Sequence, residues 1–460
     1  MKPILATVSS EIVLRELPIR TIERLRFALS YPHPEYVQAL RMGRRGIVPD
    51  VPLRFECMTE WPDGSITIPR GAVEVLRTEL AKDDLGVAFD DHRSVGLPIG
   101  PLQSPAGRSY QITGVIRLEK KAQGTIVLPC GGGKTRLGVG AIAKIGRTTI
   151  VLVHTGDLLD QWVETIREHL GVEPGIVDAN RKQWDADIVV ASIFSLVPML
   201  EEDPSIGKRF GLVIIDEHHH VAALTQQRAL RHLPAKYRLG LSATPEREDG
   251  HTKLVDWSFG PRLLVKTVQE LVADGFLMMP RLVEVPTSFE HEVSATDPRR
   301  VTKLHRALVA DDARNQLIVD LAAWEVHAGE TVLLLSNRKP HCRKLGRMLG
   351  ALGIDARVVV GTTKKSDRKG DLGDLRSGAA PIVIATSLAD EGLNVERLSR
   401  IILAFPEKAR GKTIQRVGRL TRMWSGKDPV IFDVVDPGVE MLVRRAGERK
   451  RAYRSIGMDA

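Results

Sequence analysis

Three glycines followed by a lysine and a threonine form the most chemically specific stretch of the chain. Residues 125–135 read TIVLPCGGGKT, an apolar run that breaks into the glycines and then into Lys134 and Thr135. Glycines let successive backbone N–H groups surround a phosphate chain, and a helix that begins at Lys134 directs its positive end at the same charge. Lys134 is the candidate for neutralising the β- and γ-phosphates, and the Thr135 hydroxyl is a candidate Mg²⁺ ligand. The segment predicts a triphosphate site whose other contacts are Cys130, Gly131, Gly132, Gly133 and Arg136.

This segment departs from the usual pattern G-x-x-x-x-G-K-[ST] at one position. Leu128 stands where the first glycine is expected. An ordinary glycine-rich turn between a strand and a helix is the alternative interpretation of the segment taken by itself.

Two carboxylates at the end of a buried strand form a second nucleotide signal. Residues 212–215 are Leu-Val-Ile-Ile, and they run directly into Asp216 and Glu217. In this arrangement Asp216 is a candidate Mg²⁺ ligand, and Glu217 is the candidate base that orients and deprotonates the attacking water. The histidines at 218–220 suggest a zinc site, but neighbours in sequence do not face one common point, and no other ligand cluster accompanies them.

The composition is that of a globular protein with more than one domain. The 460 residues exceed what one core holds, and 43% of them are hydrophobic and 27% charged. The net charge of +9 favours an anionic partner, with nucleic acid as the leading candidate. Three cysteines, far apart in sequence, support neither a disulfide framework nor a four-thiolate zinc site. The apolar runs are too short to span a membrane, so we expect a cytoplasmic, nucleoid-associated protein.

From residue 108 onward, strands alternate with helices, which is typical of parallel sheets covered by helices. The first series predicts strands at 125–129, 148–153, 187–191, 211–215 and 238–242, with helices at 135–145, 157–169, 192–200 and 222–231. The second predicts strands at 331–335, 356–360, 381–385, 400–404 and 429–434, with helices at 313–327, 338–350, 365–376 and 412–422. The predicted fold class is α/β, with two tandem parallel-sheet domains, 106–285 and 286–460.

A small α+β domain is predicted for residues 1–105. It contains a helix at 34–42, a strand at 65–68 and a helix at 71–81. The basic cluster of Arg41, Arg44 and Arg45 contacts a phosphate backbone in one interpretation and is a solvated helix end in the other. A linker is predicted at 96–107. The basic C-terminal tail likewise has two interpretations, a set of phosphate contacts or a frayed, solvated helix.

Further motifs follow one another in a fixed order. Arg108, Tyr110 and Gln111 lie upstream of the phosphate loop. The next motif downstream consists of VLVHT at 151–155, LL at 158–159 and QW at 161–162. It is followed by LGLSATP at 239–245. The second half carries LLLSNR at 333–338, IATSLADEGLN at 384–394 and QRVGRLTR at 415–422. The last of these contains Gln415 and places Arg419 and Arg422 three positions apart, on one face of the predicted helix.

In this order the motifs resemble those of superfamily 2 helicases of the DEAD/DEAH type. The resemblance implies two RecA-like domains and an enzyme that couples ATP hydrolysis, with Mg²⁺, to work on nucleic acid. Arg108, Tyr110 and Gln111 would read the adenine, and Gln415, Arg419 and Arg422 would act on the γ-phosphate. Coupling and nucleic-acid contact would fall to His154, Thr155, Ser242, Thr244, Arg247, Thr386 and Gly392.

The likeness is closest to the xeroderma pigmentosum group B family of DNA-repair helicases and to phage branch-migrating and restriction-subunit helicases. Arg-Glu-Asp at 247–249 and the phosphate-loop start at Leu128 are the residues that carry it. The resemblance spans residues 108–437. This chain departs from the family pattern in two places: it lacks the larger thumb-like insertion between the two α/β units, and it has Ala191-Ser192 where a threonine is usual. DNA is the implied partner, in single-stranded, duplex or branched form, together with a nuclease or a repair or defence protein. The alternatives are an RNA-remodelling ATPase and an ATP-gated DNA-binding subunit of a restriction or defence complex that does not translocate.

Overall fold

The computed structural model describes residues 3–41, 50–103, 106–217, 223–243, 249–292, 297–363, 365–386, 395–406 and 410–459. The chain forms two compact units. Unit 1 comprises Met1–Leu128 and Gly133–Val265, and unit 2 comprises Pro129–Gly132 and Lys266–Ala460. The boundaries expected at 105 and 285 stay predictions for separately folding domains. Across the described ranges, no helix has the length and apolar character that crossing a membrane requires.

The first hundred residues form a mixed α+β region on a sheet ordered β5-β6-β2-β1-β7. Its elements are β1 (Ile4–Val8), β2 (Glu11–Leu14), α1 (Ile19–Ala28), β3 (Ser30–Pro32), α2 (Pro34–Arg41), β4 (Arg54–Glu56), β5 (Thr59–Glu60), β6 (Ile66–Pro69), a 3₁₀ turn (Arg70–Ala72), α3 (Val73–Ala81) and β7 (Val87–Asp91). The predicted helix at 34–42 and strand at 65–68 correspond to α2 and β6.

The rest of unit 1 is a parallel sheet ordered β10-β11-β9-β12-β13-β8-β14. Its elements are α4 (Ser109–Lys121), β8 (Gln123–Val127), α5 (Lys134–Ile145), β9 (Thr149–Val153), α6 (Gly156–Leu170), β10 (Gly175–Val177), β11 (Ile188–Ser192), α7 (Ile193–Glu202), α8 (Ser205–Lys208), β12 (Leu212–Ile215), α9 (Ala223–Arg231), β13 (Tyr237–Ser242), α10 (Thr252–Phe259) and β14 (Arg262–Val265). Because parallel strands end at the same edge, β8, β9, β12 and β13 bring the predicted nucleotide motifs to one edge.

The N-terminal region and this parallel sheet share a hydrophobic core. One continuous cluster contains Ile12 and Leu76 from the N-terminal region and Ile150 and Phe259 from the α/β part. The 3₁₀ turn lies so close to the end of α10 that a Cβ atom at Gly71 would stand 2.3 Å from the backbone nitrogen of Gly260. The N-terminal region is therefore packed into unit 1.

The start of the predicted linker at 96–107 is also held against unit 1. Gly96 has φ +62, and a Cβ atom there would stand 2.4 Å from the backbone nitrogen of Gly211. Leu97 donates its N–H to Thr148 Oγ1 at 3.1 Å. Only glycine suits both the left-handed backbone and the close approach at position 96.

Unit 2 contains a second parallel sheet, ordered β15-β20-β19-β16-β18-β17. Its elements are α11 (Val268–Ala273), β15 (Arg281–Pro286), α12 (Arg300–Ala310), α13 (Asp312–His327), β16 (Val332–Leu335), α14 (Lys339–Ala351), β17 (Ala356–Val359), α15 (Lys365–Ser377), β18 (Ile382–Ala385), β19 (Arg400–Leu403), α16 (Arg410–Leu420), β20 (Val430–Val435) and α17 (Glu440–Ser455). Leu333 and Leu334 belong to different core clusters, because successive side chains of a strand face opposite sides of the sheet. Burial on both sides explains the uninterrupted apolar runs. Both α/β units confirm the predicted fold class.

The C-terminal tail forms the regular helix α17, so the interpretation as a frayed helix is wrong, although Arg444, Arg451 and Arg454 are solvent-exposed as that interpretation expects. Arg449 of α17 is 4% exposed and pairs with Asp433 of β20 at 2.8 Å. Tyr453 donates its hydroxyl to the same carboxylate at 3.1 Å. Arg449 is therefore unavailable for phosphate contacts, because its guanidinium is buried against Asp433.

Candidate active site

The phosphate loop joins the end of β8 to the start of α5. Gly131 and Gly133 have φ of +81 and +75, in the left-handed region that favours glycine. Gly133 directly precedes Lys134, the first residue of α5. The loop thus presents backbone N–H groups at the positive end of a helix, which is the arrangement that binds phosphate.

Leu128 explains why this loop can begin without a glycine. Its side chain is fully buried, its backbone nitrogen donates to Ser242 O at 3.0 Å, and its carbonyl accepts from Lys134 Nζ at 3.3 Å. The position therefore contributes backbone groups to the loop and a side chain to the core. A leucine fulfils both functions.

Asp216 is held at the end of β12 by two donors. Its Oδ2 accepts from the indole N–H of Trp162 at 2.7 Å, and its Oδ1 accepts from the backbone N–H of Glu217 at 2.9 Å. Burial, followed by the adjacent charge of Glu217, raises the pKa of Asp216 above its ordinary value. A carboxylate destabilised in this way favours a cation at the same place.

Glu217 lies beside the phosphate loop. Its Oε1 is 3.1 Å from Lys134 Nζ, and both side chains are largely buried. Glu217 also has φ +46, an uncommon backbone conformation for a residue with a side chain. Such strain persists where the surrounding structure fixes it, and it concentrates at functional sites.

Gln111 connects the start of α4 to the phosphate loop. Its Oε1 accepts from the backbone N–H of Arg108 at 2.9 Å, and its Nε2 donates to Gly133 O at 3.1 Å. Arg108 in turn donates to the Tyr110 hydroxyl at 3.0 Å. The three residues predicted to read adenine therefore lie together, and one of them contacts the loop.

Thr135 and Asp216 form a donor set that fits Mg²⁺. Both offer hard oxygen atoms, the ligand type that this ion takes. Gln161 donates from Nε2 to Thr135 Oγ1 at 2.9 Å. The buried Asp216 carboxylate supplies the negative charge that a divalent ion neutralises.

The predicted contacts for coupling and nucleic acid are described in part. Thr155 N-caps α6 by accepting the N–H of Leu158 at 3.3 Å, and His154, which precedes it, directly follows β9. Ser242 ends β13, and Thr386, 6% exposed, directly follows β18. Thr244, Arg247, Gly392 and the histidines at 218–220 lie outside the described residues.

The arginine-rich motif in unit 2 differs from the predicted geometry. Helix α16 ends at Leu420, and Arg422 forms a β-bridge with Leu277, so Arg419 and Arg422 do not share one helical face. The backbone of Met278 donates to Thr421 O at 2.7 Å, which explains why the helix stops. Burial and then the charge of Arg419 lower the pKa of Arg422. Gln415 lies in α16, and its side chain is outside the described part.

Two family models match the chain, one in each half. The model described as "Type III restriction enzyme, res subunit" matches residues 104–247. The model described as "Helicase conserved C-terminal domain" matches residues 313–423. Together the two matches show a helicase that carries these two domains. It is accordingly an ATP-hydrolysing enzyme.

Relatives of this helicase include phage and archaeal proteins. It is 29% identical over 334 residues to the "Probable helicase D10" of Escherichia phage T5, covering 71% of this chain and 70% of that protein. It is 27% identical over 365 residues to the "DNA 3'-5' translocase XPB2" of Sulfurisphaera tokodaii, covering 72% and 82% respectively. The fold is similar to that of the restriction-modification enzyme LlaBIII, with a TM-score of 0.58 and 15% identity, over 77% of this chain and 30% of that one.

Sequence reasoning missed the contacts of two neighbours in this helicase. The sequence analysis names Gln161 and Trp162 only as part of an ordered motif, whereas in the structure their side chains contact Thr135 and Asp216. Trp162 is fully buried and donates its indole N–H. The QW pair itself was the available signal, because a buried tryptophan needs a hydrogen-bond acceptor.

Proposed function

We propose that this helicase is an ATP-driven motor that moves on, or remodels, DNA. The observation that carries the proposal is the grouping of Lys134, Asp216 and Glu217 at one edge of the unit 1 sheet. Lys134 contacts Glu217 at 3.1 Å, and Glu217 donates its backbone N–H to Asp216. A candidate phosphate-binding cation and a candidate metal-binding carboxylate thus each contact the candidate base.

The residues around the phosphate loop divide the work on ATP. Gln111, Arg108 and Tyr110 would recognise the adenine, and the loop from Cys130 to Gly133 with Lys134 and Arg136 would hold the phosphates. Thr135 and Asp216 would hold Mg²⁺, which supplies charge neutralisation on the phosphates when bound. Glu217 would then orient the attacking water and take its proton.

Unit 2 would supply positive charge for the reaction. Arg419 and Arg422 are the candidates for stabilising the charge that develops on the γ-phosphate, with Gln415 beside them in sequence. Burial and the charge of Arg419 lower the pKa of Arg422, which means that its positive charge is destabilised in this structure. A bound anion such as a phosphate would stabilise that charge.

DNA is the proposed track. The XPB2 relative is named a DNA translocase, and the net charge of +9 favours a polyanion. His154, Thr155, Ser242, Thr244, Arg247, Thr386 and Gly392 are the proposed contacts or coupling residues. A nuclease, or a repair or defence protein, is the proposed partner.

Steady-state ATPase activity tests this function. It is measured with single-stranded DNA, duplex DNA, forked DNA and RNA, each added in turn. The Lys134→Ala variant provides the blank, and its thermal unfolding must match that of the wild type. We expect strong stimulation by DNA and little by RNA. Stimulation mainly by RNA would move the protein to the RNA-remodelling class. A lack of stimulation by any nucleic acid would favour an ATP-gated subunit that acts only with a partner.

A further inference from the structure

Helix α6 contacts both proposed Mg²⁺ ligands through two consecutive side chains. Gln161 Nε2 donates to Thr135 Oγ1 at 2.9 Å, and Trp162 Nε1 donates to Asp216 Oδ2 at 2.7 Å. Thr135 lies in α5, and Asp216 follows β12. One helix therefore sets the position of oxygen atoms that belong to two different elements.

The packing of α5 is adapted to the Trp162 indole. A Cβ atom at Gly138 would stand 2.4 Å from Cη2 of Trp162, so the indole occupies the space that a side chain at position 138 would fill. Gly138 lies one turn after Lys134 on the same helix. The indole can reach Asp216 because position 138 is a glycine.

Both contacts leave the oxygen atoms able to bind a metal ion. A carboxylate oxygen has two lone pairs, and Trp162 occupies one of the pairs on Oδ2. The Thr135 hydroxyl likewise accepts one hydrogen bond from Gln161 and retains a second lone pair. The two donors thus orient the oxygens without displacing the ion.

The N-terminal end of α6 is the proposed place of nucleic-acid contact. Thr155 caps this end, and Gln161 follows six residues later, about 9 Å along the helix axis. Helix α6 is regular over its 15 residues, so we expect it to shift as a rigid body over this distance. A shift of its N-terminus would therefore move the side chains of Gln161 and Trp162, and through their hydrogen bonds it would move the oxygen atoms of Thr135 and Asp216.

We propose that Gln161 and Trp162 are positioning residues through which nucleic acid bound at the start of α6 adjusts the two Mg²⁺ ligands. This inference rests on the proposed function. It predicts that removing either donor weakens the contribution of Mg²⁺ to nucleotide binding and uncouples that contribution from DNA. Partners of metal ligands change metal affinity or activity by about 10- to 100-fold when they are lost.

The test measures ADP affinity by calorimetry in four conditions, with and without Mg²⁺ and with and without single-stranded DNA. The variants are Trp162→Phe, which removes the N–H and keeps a ring, and Gln161→Met, which keeps the chain length and removes the donor. Gly138→Ala displaces the indole without changing Trp162 itself. Trp257→Phe, in α10, is the matched control. Thermal unfolding of each variant checks that it is folded.

We expect ADP affinity without Mg²⁺ to remain within about twofold of wild type. The gain in affinity on adding Mg²⁺ should fall about tenfold or more in Trp162→Phe and Gln161→Met, and DNA should no longer alter it. Trp257→Phe should behave as wild type. An unchanged Mg²⁺ gain in folded variants would overturn the proposal, as would an equal loss of affinity with and without Mg²⁺, which marks a packing role only.

Failure of this inference differs from failure of the proposed function. If wild-type ADP binding responds to Mg²⁺ and ATPase activity responds to DNA, while the variants match wild type, the positioning role is wrong and the function stands. If DNA affects neither ATPase activity nor ADP affinity in the wild type, the proposed function fails, and the coupling through α6 fails with it.

Discussion

The Lys134 ammonium lies 3.1 Å from the Glu217 carboxylate. The ion pair holds the Glu217 carboxylate beside the lysine of the phosphate loop. A triphosphate that draws Lys134 to its own oxygens would exchange this contact for contacts with the phosphates. Under the proposed function, ATP binding would therefore change the surroundings of the candidate base.

Replacing Glu217 by glutamine should separate binding from hydrolysis. Glu217→Gln keeps the size of the side chain and removes the base, so kcat should fall about 10²- to 10⁴-fold while ATP still binds. Single-turnover hydrolysis and equilibrium ATP binding measure the two effects. Glu173→Gln, at an exposed carboxylate paired with Arg167, is the control. Turnover near wild type in Glu217→Gln would remove the base assignment.

The backbone at Glu217 gives an independent prediction about stability. Because φ is +46, an alanine at this position remains strained, whereas a glycine does not. Glu217→Gly should therefore be more stable than Glu217→Ala by about 1 kcal/mol, the reverse of the usual order. Urea unfolding of the two variants, which both lack the carboxylate, provides the comparison. Equal stability, or greater stability of the alanine variant, would show that the backbone at position 217 relaxes.

The α/β strands and helices predicted from the sequence agree with the structure to within about two residues at each end. This precision arises because strands buried on both faces are unbroken apolar runs between polar turns. Short edge strands such as β10 and β14 were not predicted, since three or four residues carry too little pattern. Packing of the N-terminal region against α10 was equally inaccessible, because it joins residues far apart in sequence.

For the candidate site, the sequence predicted the types of chemistry and missed the contacts that orient them. Lys134, Asp216 and Glu217 were recognisable because each follows a strand in a known spacing. Trp162 and Asp216 are 54 positions apart, and no local pattern relates them. Arg422 was placed on a helix by its spacing from Arg419, but the backbone bridge to Leu277 ends the regular structure first.

Arg70 should be among the most stabilising residues of unit 1. Its guanidinium is fully buried and donates to Ala235 O at 2.7 Å, Ser9 O at 3.2 Å and Gln123 Oε1 at 2.5 Å. Arg70→Met would leave these buried acceptors without donors, at a cost of about 2–4 kcal/mol. The urea midpoint, compared with that of Arg77→Met at an exposed position of α3, measures this cost. A midpoint equal to that of the control would show that the acceptors find other donors.

Lys427 should support Arg422 without contacting nucleotide. Its Nζ donates to Arg422 O at 3.0 Å and to Glu396 O at 3.1 Å, and the side chain is largely buried. Lys427→Met should release this part of the backbone and lower kcat about 5- to 50-fold, with a smaller change in ATP binding. Lys303→Met, at an exposed position of α12, is the control. An effect confined to ATP binding would contradict this role.

The pH dependence of stability tests the same residue by a second route. Burial, followed by the charge of Arg422, lowers the pKa of Lys427 to about 8 from 10.5. Between these values the unfolded chain retains a proton that the folded chain has released, so this residue adds stability as pH rises from about 8 to 10. Below pH 8 both states are protonated, and the full cost of burying the charge is present. In urea unfolding, the free energy of unfolding of the wild type should therefore rise relative to that of Lys427→Met between about pH 8 and 10. A difference between the two free energies that does not change with pH would show that the ammonium is more solvated.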